Sequence, residues 1–312
     1  MLCIIWCIRH KLFIGEFMKI KDNDFLKAIF SIITFFYMAV VIVLTIKLVG
    51  GHIDKDNFVM IVGLDVLSST IVAILLIIMH RKLLKGDISK TISKDKKVLK
   101  NFLSLLGEGF IIFFLVKIGV ALLEGSVFEL FGLESETSDN QALIELMTGS
   151  APVLMTISAC ILAPINEELV FRGAIGKVIK NKRVFITVSG LIFGLMHVTD
   201  SMVLLLEILL LGYFIDLIVT DTSKSKESKI KLSVLVSVII LLIFGGIYYG
   251  QYGNLISKII SLDVTEVIGS ITYIGMGLYL AYLYRQHDNI YLNILVHSLN
   301  NVFAMAMLLF FA

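Results

Sequence analysis

The chain has 312 residues, of which 58% are hydrophobic and 17% charged, with a formal net charge of +2 and a mean hydropathy of +0.94. Soluble domains carry about 25% charged residues, so this composition excludes an ordinary soluble domain and indicates an integral membrane protein. The long apolar segments lack a polar–apolar alternation, which excludes a transmembrane β-barrel. We expect the lipid bilayer as a partner and no nucleic acid.

Apolar segments of about 20 residues are long enough to cross a bilayer as helices. In chain order they lie at 25–49, 58–79, 102–123, 150–180, 184–198, 201–219, 232–249, 266–284 and 290–311. The segment 184–198 is short for a full crossing. The sequence therefore predicts an all-α fold, a polytopic membrane helix bundle of about eight to nine transmembrane helices.

The charges of the connecting loops predict an orientation. Basic residues cluster at 80–100, 177–183 and 224–231, whereas 124–145 is acidic and has no Lys or Arg. Loops rich in Lys and Arg stay on the cytoplasmic side of a membrane. We therefore predict a cytoplasmic N-terminus and an external acidic segment. The abundance of Lys, Ile and Asn hints at an AT-rich bacterial genome, so we expect a bacterial plasma membrane.

The first three apolar segments contain few charged residues, and each has a structural explanation. Lys47 and Lys117 lie near predicted helix ends, where a long side chain can reach the polar interface. Asp65 lies within the second segment, and we expect it to hydrogen-bond another helix. The polar residues that lack such an explanation all follow residue 150.

Two adjacent glutamates, Glu167 and Glu168, lie in the segment 150–180, which forms one helix or two pieces broken near Pro164. An acidic residue at the centre of a membrane helix costs roughly 3 kcal/mol, so it is retained where it is paired or does chemistry. Glu168 and Arg172 are four residues apart on one helix face, where they can neutralise each other. Glu167 is rotated by about 100° and keeps a free carboxylate. The alternative is that all three only mark the cytoplasmic end of the helix.

A histidine ends the next apolar segment. Phe193 and His197 are four residues apart on one face. Gly190 and Gly194 have the same spacing, which lets two helices approach closely. A helix that begins at Arg183 carries His197 about 20 Å along its axis. The alternative is that His197 ends the helix and faces the interface.

The last apolar segment contains His297 and Asn301, four residues apart on one face of an otherwise apolar helix. An imidazole and an amide aligned in this way suit a ligand site or the stabilisation of an anion. The alternative is that both hydrogen-bond a neighbouring helix. We predict that Glu167, His197 and His297, from three separate segments, converge on one catalytic centre.

Together these residues resemble the signature motifs of the CAAX-processing and bacteriocin-processing intramembrane proteases, the CPBP or Abi family. The three motifs are Glu167-Glu168-x-x-x-Arg172, Phe193-x-x-x-His197 and His297-x-x-x-Asn301. The resemblance covers about 150–311. Family members usually place the second and third motifs closer together than here, which indicates an inserted helix pair near 201–249.

The resemblance implies hydrolysis of a peptide bond inside a membrane cavity. Glu167 would act as general base on a water molecule that His197 helps to hold. His297 and Asn301 would donate hydrogen bonds to the oxyanion, and Glu168, Arg172 and Phe193 would support the site. This mechanism needs no cofactor. The alternative is zinc held by Glu167, His197 and His297, which form a known His₂Glu ligand set.

The implied enzyme is a CAAX prenyl endopeptidase-like protease, whose substrate is a membrane-associated or prenylated protein or a small peptide. Two alternatives are a non-catalytic bacteriocin-immunity or scaffold protein of the same fold, and a proton-coupled transporter, since intramembrane charges also mark ion paths. We divide the chain into an N-terminal extension (1–17), N-terminal transmembrane helices (18–123) and the catalytic membrane core (124–312).

Overall fold

The structure is a computed structural model that describes residues 24–54, 56–92, 95–133, 139–197 and 264–311. Within these ranges the chain is helical and contains no strand, which confirms the predicted all-α class. The predicted spans 201–219 and 232–249, the inserted pair near 201–249 and the extension 1–17 lie outside the described residues.

From α1 to α7, and from α8 to α9, the described helices follow one another with short connections. In chain order they are α1 (Asp24–Leu48), α2 (Phe58–Met79), α3 (Arg81–Thr91), α4 (Lys96–Phe131), α5 (Asp139–Ser150), α6 (Pro152–Val178), α7 (Lys182–Leu195), α8 (Val264–His287) and α9 (Ile290–Phe311). Asn57, Asp95 and Asn181 begin α2, α4 and α7 by accepting hydrogen bonds from backbone N–H groups of the first turn, which have no partner within the helix.

Four of the described helices, α2, α4, α6 and α9, are long and apolar enough to cross a membrane. The number becomes five if α1 counts, which bends by 46° between Lys27–Ala39 and Val41–Leu48. The predicted total of eight to nine spans is therefore not confirmed. Few residues in the most apolar stretch of helix α4 are fully buried by the described residues, as expected of a helix with one face toward lipid.

Helix α4 is longer than predicted. It continues beyond 123 as far as Phe131 and ends at Gly132, whose φ of 65° closes the last turn. Left-handed backbone of this kind suits glycine because it has no Cβ. The first part of the predicted external segment 124–145 is therefore a continuation of α4, and Glu124 accepts a hydrogen bond from the backbone N–H of Thr272 on α8.

Helix α6 runs without a break through Pro164, so the one-helix interpretation of 150–180 is correct. Two wider turns of π type, Ser158–Leu162 and Glu168–Ala174, lie on either side of the α-helical turn Ala163–Glu167. In the first of them the N–H of Ala163 donates to Ser158, five residues back. The next residue, Pro164, has no N–H to donate, so the helix gives no donor to the carbonyl of Ala159.

The start of α9 is held by polar groups of α3. Asn289 caps α9 by accepting from the N–H groups of Tyr291 and Leu292. The buried carboxylate of Asp87 accepts the N–H of Ile290, and Thr91 bonds Asn289. Because these bonds fix where α9 begins, they also set the helical position of His297 seven residues later.

The main core lies where α6, α7, α8 and α9 meet. Its fully buried members include Leu169, Phe171, Phe185, Leu280 and Ile290. Helix α7 packs along α8, which also packs against α4. The predicted close approach at Gly190 and Gly194 is confirmed, since a Cβ on Gly194 would lie 2.5 Å from backbone atoms of Ile274, and one on Gly190 would lie 2.8 Å from the Cα of Leu278.

We predict that Gly194→Ala separates α7 from α8 and lowers the free energy of unfolding by about 1–3 kcal/mol, because the added methyl meets backbone that cannot move aside. Thermal unfolding of the purified protein in detergent measures this. The control is Gly63→Ala in α2, where no atom lies within 4 Å of the added Cβ. It should be neutral or up to about 1 kcal/mol stabilising, and an equal loss in both variants would contradict the packing described.

Candidate active site

An ion pair buried inside the bundle organises the site. The Arg172 guanidinium contacts the Glu168 carboxylate at 3.1 Å, and both side chains are 0% exposed. The second guanidinium nitrogen donates to the carbonyl of Gly277 on α8 at 2.9 Å. The predicted pairing of Glu168 with Arg172 is confirmed. Its complete burial contradicts the alternative that these residues only mark the end of a helix.

Glu168 also holds His297. The Nδ1 of His297 lies 3.1 Å from Oε1 of Glu168, and the Nδ2 of Asn293 donates to Oε2 at 3.2 Å. The Glu168 carboxylate, which is paired with the Arg172 guanidinium and accepts from Asn293, is ionised and can only accept, so Nδ1 of His297 carries the proton. When Nδ1 is the protonated nitrogen, the Nε2 of a neutral imidazole is a free acceptor. That Nε2 faces Glu167.

The ring of His197 also has its proton on Nδ1 and its Nε2 toward Glu167, but a different group holds it. Its Nδ1 lies 2.7 Å from the carbonyl oxygen of Phe193, which can only accept, so Nδ1 is again the donor. The ring stacks on Tyr273 of α8 with 5.1 Å between centroids. Helix α7 ends at Leu195, so His197 follows the helix end, as the alternative proposed, yet its Nε2 is also directed at Glu167.

Glu167 lies between the two imidazoles. Its Oε2 is 3.9 Å from Nε2 of His297 and 4.0 Å from Nε2 of His197. This oxygen is buried and accepts no hydrogen bond from any described residue. The structure therefore brings together Glu167, His197 and His297 from α6, α7 and α9, as predicted. Their catalytic roles remain predictions.

Oε2 of Glu167 and the Nε2 atoms of His197 and His297 are acceptors that surround one gap, and together they require a hydrogen-bond donor. The Glu167 oxygen and the two Nε2 atoms are too far apart for direct hydrogen bonds, and a contact across more than 3.5 Å commonly contains a bridging water. The side chain of His197 is 20% exposed, against 9% for Glu167 and 6% for His297. His197 is therefore the most exposed of the three side chains.

Phe193 packs among the charged groups of the site. Its ring is 2% exposed and lies under the Arg172 guanidinium, 4.7 Å from the centroid. It contacts the rings of His197 and His297, with centroids 4.6 and 5.5 Å apart. An aromatic face stabilises a desolvated cation by roughly 1–2 kcal/mol. Phe193 therefore contacts three residues of the site, and its supporting role stays a prediction.

Asn301 bonds a backbone carbonyl of α6. Its Nδ2 donates to the oxygen of Ala159 at 2.8 Å, the carbonyl for which Pro164 provides no donor. Its Oδ1 accepts from Asn300, whose own Oδ1 accepts from Lys117 of α4 at 3.3 Å. Asn301 therefore completes the hydrogen bonding of α6 in this structure, and its part in binding an oxyanion stays a prediction.

Several residues at the site were not identified from the sequence. Asn293 precedes His297 by one helical turn, and that spacing was the available signal. Tyr273 and the carbonyl of Gly277 belong to α8, for which no local pattern indicated a contact. Lys117 was expected to reach the interface, but it bonds Asn300 inside the bundle. Asp65 is as predicted, since it bonds Ser158 of α6 at 2.5 Å.

The zinc alternative can be compared with these distances. Two ligand atoms on one tetrahedral zinc, each about 2.1 Å from the metal, lie about 3.4 Å apart. The distances of 3.9 and 4.0 Å from Glu167 to the imidazoles are wider. In the described ranges no group of three or more His, Cys, Asp or Glu side chains is arranged to hold a metal ion. As arranged, the three side chains do not fit a zinc ion, and we derive no step through one.

Comparison with known families places the site inside a recognised sequence region. Residues 149–259 and 223–303 match the family model described as Rce1-like, type II CAAX prenyl endopeptidase. The matched region includes all three motifs and contains Glu167, His197 and His297. Searches of curated proteins and of solved structures found no match.

We predict that Arg172→Met lowers the free energy of unfolding by about 3–5 kcal/mol, because it leaves the Glu168 carboxylate buried without its cation. Adding Glu168→Gln should recover part of this loss, since the double variant buries no uncompensated charge. Arg183→Met, at the exposed start of α7, is the control and should change stability by less than about 0.5 kcal/mol. Denaturation in detergent gives the comparison. Strictly additive losses in the double variant would contradict the coupling.

Proposed function

We propose that this chain, which belongs to the Rce1-like family of type II CAAX prenyl endopeptidases, is an intramembrane endopeptidase that uses Glu167 to activate water. One observation carries the proposal: a buried carboxylate oxygen without a hydrogen-bond donor lies about equally far from two imidazole nitrogens. A water molecule in that gap has acceptors for both its protons.

The first step is attack by water on the scissile carbonyl. Glu167 takes one proton as the water oxygen bonds the carbonyl carbon, and His197 fixes the water by accepting its second proton in a hydrogen bond. The C–N bond of the tetrahedral intermediate then breaks. Glu167 returns the proton to the leaving amine, so the carboxylate is regenerated and one water is consumed for each peptide bond.

His297 stabilises the developing negative charge on the substrate oxygen. In the resting site its Nε2 is an acceptor, so it can donate to the oxyanion only after taking a second proton from solvent, which it returns when the intermediate collapses. The Glu168 carboxylate on Nδ1 stabilises the imidazolium formed in this way. A donor placed at the oxyanion contributes about 3 kcal/mol to catalysis. Asn301 is the second proposed donor, and it would have to exchange the Ala159 carbonyl for the substrate oxygen.

The substrate class follows from the surroundings of the site. Glu167 lies within a membrane-spanning helix, so a substrate must bring its peptide bond into the bilayer. A membrane-associated or prenylated protein meets this requirement through its anchor, and a small apolar peptide can meet it without one. We expect the site to open to the cytoplasm of a bacterial cell, because the positive-inside rule places the basic loops there.

We predict that Glu167→Gln lowers the rate of cleavage at least about a thousandfold, because an amide cannot accept the proton of water and general-base catalysis alone contributes 10²–10⁴. His197→Asn and His297→Asn should each reduce the rate by about 10²–10³. The assay uses proteoliposomes and a panel of lipid-anchored and prenylated peptides, with products identified by mass spectrometry.

The matched control is Glu129→Gln, an exposed glutamate of α4 outside the site, which should cleave like the wild type. Equal cleavage by the wild type and Glu167→Gln would contradict the protease assignment. If no tested peptide is cleaved but the wild type alone takes up protons with a solute, the transporter alternative would replace it.

We predict that activity survives removal of metal, because water in this site is activated by a carboxylate and two imidazoles. The purified protein should contain far less than one zinc per chain, and cleavage should persist in a chelator. The zinc alternative gives the opposite result. It requires one zinc per chain, loss of that zinc in His197→Asn, and restoration of the chelated enzyme by added zinc.

A further inference from the structure

A polar cavity lies near the C-terminal end of α6, away from the first π turn Ser158–Leu162. It has a volume of about 230 Å³ and lies where α1 begins, α2 passes into α3 and α6 ends. The residues that line it are Asp24, Lys27, Met79, His80, Lys82, Leu83, Ala174 and Lys177. None of these residues belongs to the catalytic motifs, so the cavity needs its own explanation.

The cavity concentrates positive charge from three helices. Lys27 belongs to α1, Lys82 to α3 and Lys177 to α6, and among the described residues of the lining Asp24 is the one that is acidic. Asp24 contacts Lys27 at 3.6 Å and is 53% exposed. The described lining residues therefore contribute three ammonium groups and one carboxylate, a formal charge of +2. Converging cations of this kind attract an anion, most strongly where the site is partly shielded from water.

His80 forms the inner wall of this cavity and does not add to its charge. It lies between α2 and α3, and its Nε2 hydrogen-bonds the Oγ of Ser31 on α1 at 2.9 Å. Burial and the positive charge of Lys27 lower the pKa of His80 to about 4, so the ring is neutral at physiological pH. The histidine therefore serves as a polar wall, and the lysines provide the charge.

Part of the cavity lining is apolar and belongs to membrane-spanning helices or packs against them. Met79 is the last residue of the membrane-spanning α2, Ala174 lies in the membrane-spanning α6, and Leu83 packs against Gly173. A ligand that suits this surface has a compact anionic group and an apolar extension. Basic pockets between transmembrane helices on the cytoplasmic side bind phospholipid head groups in this way.

We propose that this cavity binds a phosphate group through Lys27, Lys82 and Lys177. An anionic phospholipid of the surrounding leaflet is the expected source, and a soluble phosphate compound is the other. Because the ligand contacts α1, α3 and the end of α6 together, its binding stabilises the arrangement of these helices. The cavity adjoins the π turn Glu168–Ala174, so occupancy also supports the turn that carries Arg172.

The test measures binding to the purified full-length chain in an uncharged detergent. Native mass spectrometry and thermal unfolding follow the addition of phosphatidylglycerol, of diacylglycerol without phosphate, and of inorganic phosphate alone. We expect phosphatidylglycerol to bind and raise the unfolding temperature, and diacylglycerol to have no effect. The combined Lys27→Gln, Lys82→Gln and Lys177→Gln variant should bind phosphatidylglycerol about a hundredfold more weakly, since each lysine near anionic lipid changes the affinity about fivefold and three changes multiply.

The matched control removes three positive charges from the same end of the bundle but outside the cavity, at the exposed Lys85, Lys96 and Lys100. It should bind like the wild type. If both triple variants lose binding equally, general surface charge explains the effect and the proposal is wrong. A wild type stabilised by inorganic phosphate and not by phosphatidylglycerol would assign the cavity to a soluble ligand. No response to either would overturn the site.

The single variant Lys82→Gln tests the proposal even if the triple variant misfolds. Lys82 is exposed on the surface of α3, so replacing it should leave the fold intact. It should keep the unfolding temperature of the ligand-free protein and bind phosphatidylglycerol several-fold more weakly. Unchanged binding in this variant, with Lys85→Gln as its control, would contradict the part assigned to the lysines.

Discussion

The ion pair between Glu168 and Arg172 is the constraint on which the site depends. Each charge alone is costly to bury, and a pair is best tolerated when hydrogen bonds satisfy its remaining polar atoms. Here Gly277 accepts from the guanidinium, and Asn293 and His297 face the carboxylate, while the buried Nε of Arg172 has no acceptor among the described residues. These partners belong to α8 and α9, so neutralising the charge on α6 also fixes two other helices against it and determines the tautomer of His297.

The two glutamates differ because their neighbours differ. Glu168 is surrounded by donors, whereas Oε2 of Glu167 faces two nitrogen atoms that are themselves acceptors. Turns of π type on either side of Glu167 alter the spacing of side chains along α6, and such turns are frequent at functional sites. One consequence concerns the carbonyl of Ala159, to which Pro164 cannot donate because it has no N–H. The side-chain amide of Asn301 donates to this carbonyl instead.

Helical spacing was sufficient to predict contacts within one helix. The pairing of Glu168 with Arg172 and the contact of Phe193 with His197 both follow from residues four apart on one face. The spacing of Gly190 and Gly194 also predicted that another helix comes close, but it did not identify α8 as that helix. Contacts between helices could not be derived in this way. The bonds from Glu168 to His297 and Asn293, and the stacking of Tyr273 on His197, depend on how helices pack, which no local pattern encodes.

Lys117 is a second case in which helix packing, which the local sequence does not encode, decided the contact of a side chain. A lysine in an apolar helix was expected to reach the interface, but α4 extends well beyond the predicted 102–123 and places the side chain against Asn300. The length of α4 depends on where Gly132 ends it. Likewise, the short segment 184–198 correctly indicated a short α7, yet the direction of the His197 ring is set by the Phe193 carbonyl and by Tyr273.

The proposed catalysis requires that one carboxylate and two imidazoles converge inside the bilayer. An experimental structure of the wild-type chain in lipid nanodiscs, at a resolution that shows ordered water, tests this directly. We expect Oε2 of Glu167 within about 4 Å of Nε2 of both His197 and His297, with a water molecule bonded to the carboxylate. Either imidazole turned toward lipid, or Glu167 directly paired with a cation, would contradict it.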